Sequence, residues 1–176
     1  MRAVIDTNVL RVASGQHADV SSECVLECVL HLRAVQQSGI AVIDDNRRIL
    51  KEYMRNPSLL KTNQVGGQFL KWLLQNQSNQ TRVEQVRLTE TAENCYMEFP
   101  DKALEPHFDP PDRKFAAVAN AHAHKPPVLQ AADCKWLDWW PALRVKGVEV
   151  KFLCPDDACQ FYRKKFPGKP DPALPS

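Results

Sequence analysis

The chain has no long hydrophobic run and little net charge. None of its apolar stretches approaches the ~18 residues that mark a membrane-spanning helix. Val4 and Ile5 are followed at once by Asp6, so a secretory signal peptide is not expected. The 23 basic and 21 acidic residues leave a formal net charge of only +2, which neither argues for a nucleic-acid partner nor excludes one. We therefore expect a cytoplasmic protein with no membrane partner.

The sequence also lacks the closely spaced cysteine pairs that are typical of zinc knuckles. Cys24 and Cys28 stand four residues apart in an apolar helical stretch, which places them on one helix face. The other four cysteines are scattered along the chain at Cys95, Cys134, Cys154 and Cys159. Because this pattern indicates neither a disulfide framework nor a zinc knuckle, we expect the cysteines to pack as small apolar residues.

What is present is an ordinary globular composition, with 176 residues of which 44% are hydrophobic and 25% charged. These values predict one domain with a core of its own. Short apolar runs predict strands at 3–5, 40–43, 128–132 and 148–153, and 83–88 is predicted as either an edge strand or an irregular connection. Amphipathic stretches between these runs predict helices, one of them capped by Asn46 and another following Asp112.

Strands that alternate with helices predict an α/β protein, a three-layer α/β/α fold with a central, mainly parallel sheet. Residues 1–155 carry this pattern and form the predicted domain. Residues 156–176 are predicted to add a short C-terminal helix and a loosely ordered, proline-rich tail.

Acidic residues stand at the ends of several predicted elements. Asp6 and Asp133 each end an apolar run, Asp112 opens an alanine-rich helix, and Glu52 lies on the helix after the second strand. Open α/β sheets bind their ligands at the carboxyl ends of the strands. Carboxylates from separate elements suit Mg²⁺, which prefers hard oxygen ligands, and they would repel one another without a cation. The pattern predicts a metal site.

Each acid also has a purely structural explanation. Asp6 can serve a turn or a helix cap, and Glu52 alone is typical of a solvated helix face. Asp112 alone is an ordinary N-cap, and this role is compatible with metal binding. The combination of four acids in one order therefore carries more weight than any member.

Four segments resemble the motifs of PIN-domain nucleases, in particular the VapC-like toxin ribonucleases. They are VIDTNVL at 4–10, ILKEY at 49–53, PDRKFAAVA at 111–119 and VLQAAD at 128–133. The resemblance implies a PIN-like domain over 1–155 and a ribonuclease that depends on Mg²⁺ or Mn²⁺. It implies catalytic and metal-binding roles for Asp6, Glu52, Asp112 and Asp133. RNA is the implied substrate, and an antitoxin protein and a second copy of the chain are candidate partners.

One position departs from the family pattern. Many relatives carry another acid two residues after the fourth one, where this chain has Lys135, and the next acid is Asp138. The site is therefore predicted to hold either one metal ion or two. Lys135 is predicted either to contact a substrate phosphate or to fill the space of the missing acid.

Other polar residues beside the acids are candidates for supporting roles. Thr7 and Asn8 are expected either to orient Asp6 and a metal-bound water or to serve turn chemistry. Because the net charge is low, an RNA surface has to come from local clusters of basic residues. The candidates are Arg48, Lys51, Arg55, Arg113 and Lys114, with a solvated basic face as the alternative.

The leading functional prediction is an endoribonuclease that hydrolyses RNA phosphodiesters by in-line attack of water. It is expected to leave 5′-phosphate and 3′-hydroxyl ends, because water and not the neighbouring 2′-hydroxyl is the nucleophile. The first alternative is a PIN-fold module that binds RNA or protein with little or no turnover. The second is a phosphoryl-transfer enzyme that acts on small phosphoesters.

Overall fold

Five parallel strands form the centre of the computed structural model, which describes residues 1–175. The elements in chain order are β1 (Arg2–Ile5), α1 (Thr7–Ala13), α2 (Ser22–Ser38), β2 (Ile40–Asp44), α3 (Arg48–Arg55), α4 (Val65–Asn76), β3 (Val83–Val86), β4 (Glu90–Ala92), β5 (Cys95–Tyr96), α5 (Arg113–Ala121), β6 (Val128–Gln130), α6 (Trp136–Val145), β7 (Val150–Phe152) and α7 (Pro155–Lys165). Short 3-10 turns at Pro57–Leu60, Glu105–His107 and Pro110–Asp112 complete this set.

The sheet runs in the order β3-β2-β1-β6-β7, and every neighbouring pair is parallel. Helices α1, α2 and α4 pack against one another in one layer, and α5 packs on β1 and β2 in the other. The predicted three-layer α/β/α fold is confirmed. β1 lies in the middle with Ala3, Val4 and Ile5 almost fully buried, as expected for a strand covered on both faces.

Strand β3 pairs with β2 alone and is therefore an edge strand. The sequence predicted either an edge strand or an irregular connection at this place. The small antiparallel hairpin of β4 and β5 lies outside the central sheet and was not predicted. Every residue of β4 is exposed, so the burial pattern that reveals core strands is absent there.

A capping residue holds the start of α2, but the cap expected for α3 and the one considered for α5 make no capping hydrogen bond. Ser21 caps α2 by accepting a hydrogen bond from the Cys24 N–H at 3.1 Å, and α2 ends at Gly39 as predicted. Asn46, the predicted cap of α3, does not serve this role. The buried carboxylate of Asp44 instead accepts from the N–H groups of Asn46, Arg48 and Ile49.

The C-terminal helix belongs to the same hydrophobic core as the sheet. Ala158, Cys159 and Tyr162 of α7 are buried within that core. The tail then folds back, since the Trp140 Nε1–H donates to the Ala173 carbonyl at 3.0 Å and Asp171 pairs with Arg163. The predicted loose tail is therefore anchored as far as these residues, and its end at Ser176 lies outside the described residues.

The cysteine prediction was wrong for two residues. Cys24 on α2 and Cys154 before α7 form a disulfide across a sequence separation of 130 residues. Cys28, Cys95, Cys134 and Cys159 are free, and all of these except Cys95 are buried. No helix within residues 1–175 is both long and apolar enough to cross a bilayer.

Candidate metal centre at the carboxyl edge of the sheet

Asp6 lies at the carboxyl end of the central strand, where β1 passes directly into α1. Its carboxylate caps α1 by accepting the Asn8 N–H at 2.7 Å, and its own N–H donates to the Leu129 carbonyl of β6 at 3.0 Å. Only 4% of Asp6 is exposed. The cap role that the sequence suggested and a place at the sheet edge therefore coexist.

Glu52 reaches the same edge from α3. The Tyr53 hydroxyl donates to the Ile5 carbonyl, which ties α3 to the end of β1. The Thr7 hydroxyl donates to one Glu52 carboxylate oxygen, and the Lys114 ammonium pairs with the other. Thr7 thus orients Glu52, whereas the sequence suggested Asp6 as its partner.

Asp112 and Asp133 complete the acidic cluster from α5 and from the loop after β6. Asp112 is the residue before α5, but its side chain makes no capping hydrogen bond, so its carboxylate is left to the cluster. Asp133 accepts the Lys135 N–H at 3.1 Å. The Asn8 side-chain oxygen accepts the Ala132 N–H at 3.0 Å, which joins the ends of β1 and β6.

The four carboxylates influence one another electrostatically. Burial and the neighbouring Asp112, Glu52 and Asp133 raise the pKa of Asp6 well above its ordinary value. Burial, followed by Asp133, Glu52 and Asp109, raises the pKa of Asp112 to about 7, against the opposing effect of Lys114. Burial is the largest cause of both shifts, and a bound cation would oppose it together with the repulsion between the carboxylates. Within residues 1–175 no three of these acids bring ligand oxygens within 4.8 Å of one another, so the acids are neighbours rather than a closed ligand shell.

The donor set fits a hard divalent cation. Asp6, Glu52, Asp112 and Asp133 offer carboxylate oxygens from four separate elements at one sheet edge. Such oxygens are the ligands that Mg²⁺ and Mn²⁺ prefer. Lys114 already neutralises part of this charge at Glu52, so an ion competes with Lys114 for that carboxylate.

Of the two positions considered for the missing fifth acid, Lys135 lies beside the cluster and Asp138 pairs outside it. Lys135 pairs with Asp109, and this contact with Asp109 raises the pKa of Lys135. Asp138 is exposed and accepts from the Tyr162 hydroxyl at 2.5 Å and from Lys169 at 2.8 Å. The structure therefore brings four acids together and leaves Asp138 outside. Asp109, three residues before Asp112, is an additional acid beside the site that the sequence reasoning missed.

Most of the predicted basic residues line one cavity next to the acids. A cavity of about 610 Å³ is lined by Arg48, Lys51 and Arg55 of α3 together with Glu52 and Lys114. The predicted common face of α3 is thus real, although Arg48 is partly engaged by Glu90 at 3.0 Å.

Arg113 does not belong to this basic surface. It is 8% exposed, and its guanidinium donates to the Phe108 carbonyl at 3.0 Å and to Cys95 Sγ at 3.1 Å. Arg113 therefore does not line the cavity, whereas Lys114 does, although Lys114 is itself only 5% exposed and pairs with Glu52. The sequence could not distinguish Arg113 from Lys114, because spacing does not show which neighbours each side chain contacts in the folded protein. Arg113 contacts Phe108, and Lys114 contacts Glu52.

A second cavity, of about 410 Å³, reaches the acids at Asp133. Asn8 and Asp133 line it together with Lys164 and Lys165 of α7. Glu52 and Asp133 therefore each line a cavity that also carries basic side chains.

No protein-family model, no curated protein sequence and no solved structure matches this chain.

Proposed function

We propose that the protein is a divalent-metal-dependent endoribonuclease of the PIN-domain type. The convergence of Asp6, Glu52, Asp112 and Asp133 at the carboxyl edge of a parallel sheet carries the proposal. The raised pKa values of Asp6 and Asp112 support it, because burial and the neighbouring carboxylates disfavour the ionised forms that a cation would stabilise. The toxin role and the antitoxin partner remain predictions that rest on the sequence resemblance alone.

The four carboxylates would hold the ion, and the chemistry that Mg²⁺ or Mn²⁺ supplies is water activation and neutralisation of phosphate charge. Thr7 fixes the orientation of Glu52, and Asn8 holds the ends of β1 and β6 together. These contacts pre-position the acids before substrate arrives, which reduces the reorganisation needed for catalysis.

A single-stranded RNA fits the two flanking cavities better than a small phosphoester does. Lys51 and Arg55 on one side and Lys164 and Lys165 on the other place positive charge on both approaches to the acids. A polymer can contact both flanks at once, and each phosphate contact adds salt-dependent affinity. A small phosphoester would use only the acidic centre.

The decisive experiment measures cleavage of a labelled RNA by the full chain with Mg²⁺ or Mn²⁺ and with excess chelator. We expect metal-dependent hydrolysis that leaves 5′-phosphate and 3′-hydroxyl ends. Asp6→Asn and Asp133→Asn should abolish it. Asp138→Asn is the matched control, because Asp138 is an acid that lies against Tyr162 and Lys169 outside the cluster.

Three results would refute the proposal in different ways. RNA binding without cleavage at any metal concentration would support the alternative of a binding module, in which the Lys114–Glu52 ion pair is the permanent state of the site. Hydrolysis of nitrophenyl phosphate with intact RNA would support the small-phosphoester alternative. Activity that survives in Asp6→Asn would place the chemistry elsewhere.

A further inference from the structure

Three cysteines meet where α2 packs against the start of α7. Cys24 and Cys28 occupy the buried face of α2, and Cys154 is the residue before α7. Cys24 and Cys154 are disulfide-bonded, and the Cys28 sulfur lies 3.9 Å from the Cys154 sulfur. All three sulfur atoms lie within 4.8 Å of one another, and the three residues are between 0% and 3% exposed.

We propose that Cys24, Cys28 and Cys154 form a second metal site, which binds one thiophilic ion of the Zn²⁺ type when the Cys24–Cys154 disulfide is reduced. This site is separate from the acidic centre in position and in ligand chemistry. It does not depend on the proposed nuclease function.

The spacing of the undisturbed sulfur pair fits zinc coordination. Zinc–thiolate bonds of ~2.3 Å in a tetrahedral site place neighbouring sulfur atoms about 3.8 Å apart. The Cys28 and Cys154 sulfur atoms already lie 3.9 Å apart. Opening the disulfide lets Cys24 Sγ retreat to a similar separation by side-chain rotation, because Cys24 and Cys28 share one face of α2.

A cavity provides both an entry path and room for a fourth ligand. It has a volume of about 460 Å³, and both Cys24 and Cys154 contribute to its wall. Carboxylates of Glu23, Glu27, Asp156 and Asp157 also line it. Acidic walls concentrate cations, and a water or a cavity carboxylate can complete the four ligands that zinc prefers. An accessible path is a requirement for any buried metal site.

Cys28 is fully buried beside the Cys24–Cys154 disulfide and is itself a free cysteine. A soft cation deprotonates thiols on coordination, so Cys28 can serve as the third ligand without being exposed at the surface.

The proposed step balances with a phosphine or dithiol reductant. Two electrons from the reductant and two protons convert the Cys24–Cys154 disulfide into two thiols. Binding of Zn²⁺ to the three thiols then releases three protons and forms three zinc–sulfur bonds. An added disulfide oxidant takes two electrons from the Cys24 and Cys154 thiolates, the Cys28 thiolate takes up a proton and the ion leaves, so the disulfide and the metal exclude each other.

The test uses Co²⁺ as a spectroscopic probe for the zinc site in the full chain. Protein reduced with a phosphine should bind one Co²⁺ per chain and develop the intense near-ultraviolet thiolate-to-cobalt absorption, which Zn²⁺ then displaces. The same protein oxidised to the Cys24–Cys154 disulfide should show none of this absorption. Carboxylate-bound Co²⁺ at the acidic centre lacks that band, so the two sites are told apart in one spectrum.

Variants locate the ligands. Cys28→Ser should lower Co²⁺ affinity by more than the ~10–100-fold typical of losing a group that only supports a metal ligand. Cys159→Ser is the matched control, because Cys159 is also a buried free cysteine but lies on α7 outside the cluster. Comparison of oxidised and reduced wild-type protein keeps the test valid if a serine variant fails to fold.

Four outcomes would overturn the proposal. Reduced protein that shows no thiolate absorption with Co²⁺, or a Cys28→Ser variant that binds as the wild type does, would remove the site. A disulfide that resists reduction in the folded protein would mean that the site never forms. Peptide mapping that finds Cys28 disulfide-bonded to Cys154 would indicate thiol exchange in its place.

Discussion

The acidic cluster and the cysteine cluster are opposites in chemistry and in origin. The acids are oxygen donors gathered at the carboxyl edge of the sheet, where the ends of β1 and β6, the middle of α3 and the start of α5 converge. The cysteines are sulfur donors held between the α2 face and the start of α7, residues that lie far apart in the chain.

The difference shows how topology and packing build sites in different ways. Parallel strands with helical crossovers bring the ends of neighbouring strands together at one edge, so any chain with this topology places strand-end residues together. Contacts between two helices depend instead on which residues of each face meet. The acidic site follows from the strand order, and the cysteine site follows from the packing of α2 against α7.

The largest expected effect is on catalysis at the acidic cluster. Asp6→Asn should lower RNA hydrolysis by more than about 100-fold, because it removes a carboxylate from the centre rather than a group that supports one. The fold should persist, and the metal-free variant should melt slightly higher because like-charge repulsion is relieved. Steady-state cleavage and thermal melting check both parts. A variant that unfolds would show that Asp6 is needed mainly as the cap of α1.

The cysteine cluster should affect stability and leave catalysis unchanged. The Cys24–Cys154 disulfide spans 130 residues, so its loss should lower the free energy of unfolding by roughly 2–4 kcal/mol. Denaturant unfolding of oxidised Cys154→Ser and wild-type protein measures this change, and oxidised Cys159→Ser is the control. RNA cleavage well below the melting temperature should be equal in all three. If Cys154→Ser loses RNA cleavage as well as stability, the two clusters do not act independently.

Between about pH 4 and 7, metal-free stability should depend on pH chiefly through the buried acids, because the lowered pKa values of Glu84, Glu90 and Asp171 act mostly at lower pH. Asp112 has a pKa of about 7 in the folded protein against 3.8 ordinarily, so between these values the folded state binds more protons than the unfolded state. The free energy of unfolding should therefore fall by roughly 2–4 kcal/mol as pH rises from about 4 to 7. Asp6 acts in the same direction.

Denaturant unfolding across this pH range, with chelator and with Mn²⁺, checks the pH prediction. Mn²⁺ should stabilise the protein more at neutral pH than at low pH, because it binds the ionised carboxylates. Asp112→Asn should flatten the metal-free decline, whereas Asp45→Asn, which alters an exposed acid, should preserve it. A decline that is identical in both variants would contradict the assignment of the charge to the cluster.

The smallest expected effect concerns the basic cavity. Reversing Lys51 and Arg55 to Glu should weaken RNA binding and make its salt dependence shallower by roughly one to two units of slope. Metal binding should persist. Titrations at several salt concentrations measure this change. If reversal of Lys164 and Lys165 has the effect and reversal on α3 does not, the RNA path follows the α7 cavity.

The strands and the acidic residues were predictable from the sequence because their signals are local. Short apolar runs marked β1, β2, β6 and β7, and the acids at or just after these runs followed from the topology. The cap of α3 was assigned wrongly because Asp44 and Asn46 are both capping residue types two positions apart. Burial of Asp44, which no local pattern records, decides between them.

The contacts that could not be predicted are those made by packing. Lys114 meets Glu52 only because α5 approaches α3, and its neighbour Arg113 is turned towards Phe108. The disulfide joins residues 130 positions apart that no spacing rule connects. Asp109 stands three residues before Asp112, and this spacing could have indicated a further acid beside the site. Its pairing with Lys135 could not be predicted, because Lys135 comes from a different segment of the chain.

The most direct test of the central claim is the position of a bound Mn²⁺ ion in a crystal of the full chain, located by its anomalous scattering. The account predicts an anomalous peak among the carboxylates of Asp6, Glu52, Asp112 and Asp133, with the peak lost in Asp6→Asn crystals grown in the same way. An empty acidic cluster in the wild type at millimolar Mn²⁺, with the Lys114–Glu52 ion pair intact, would contradict it.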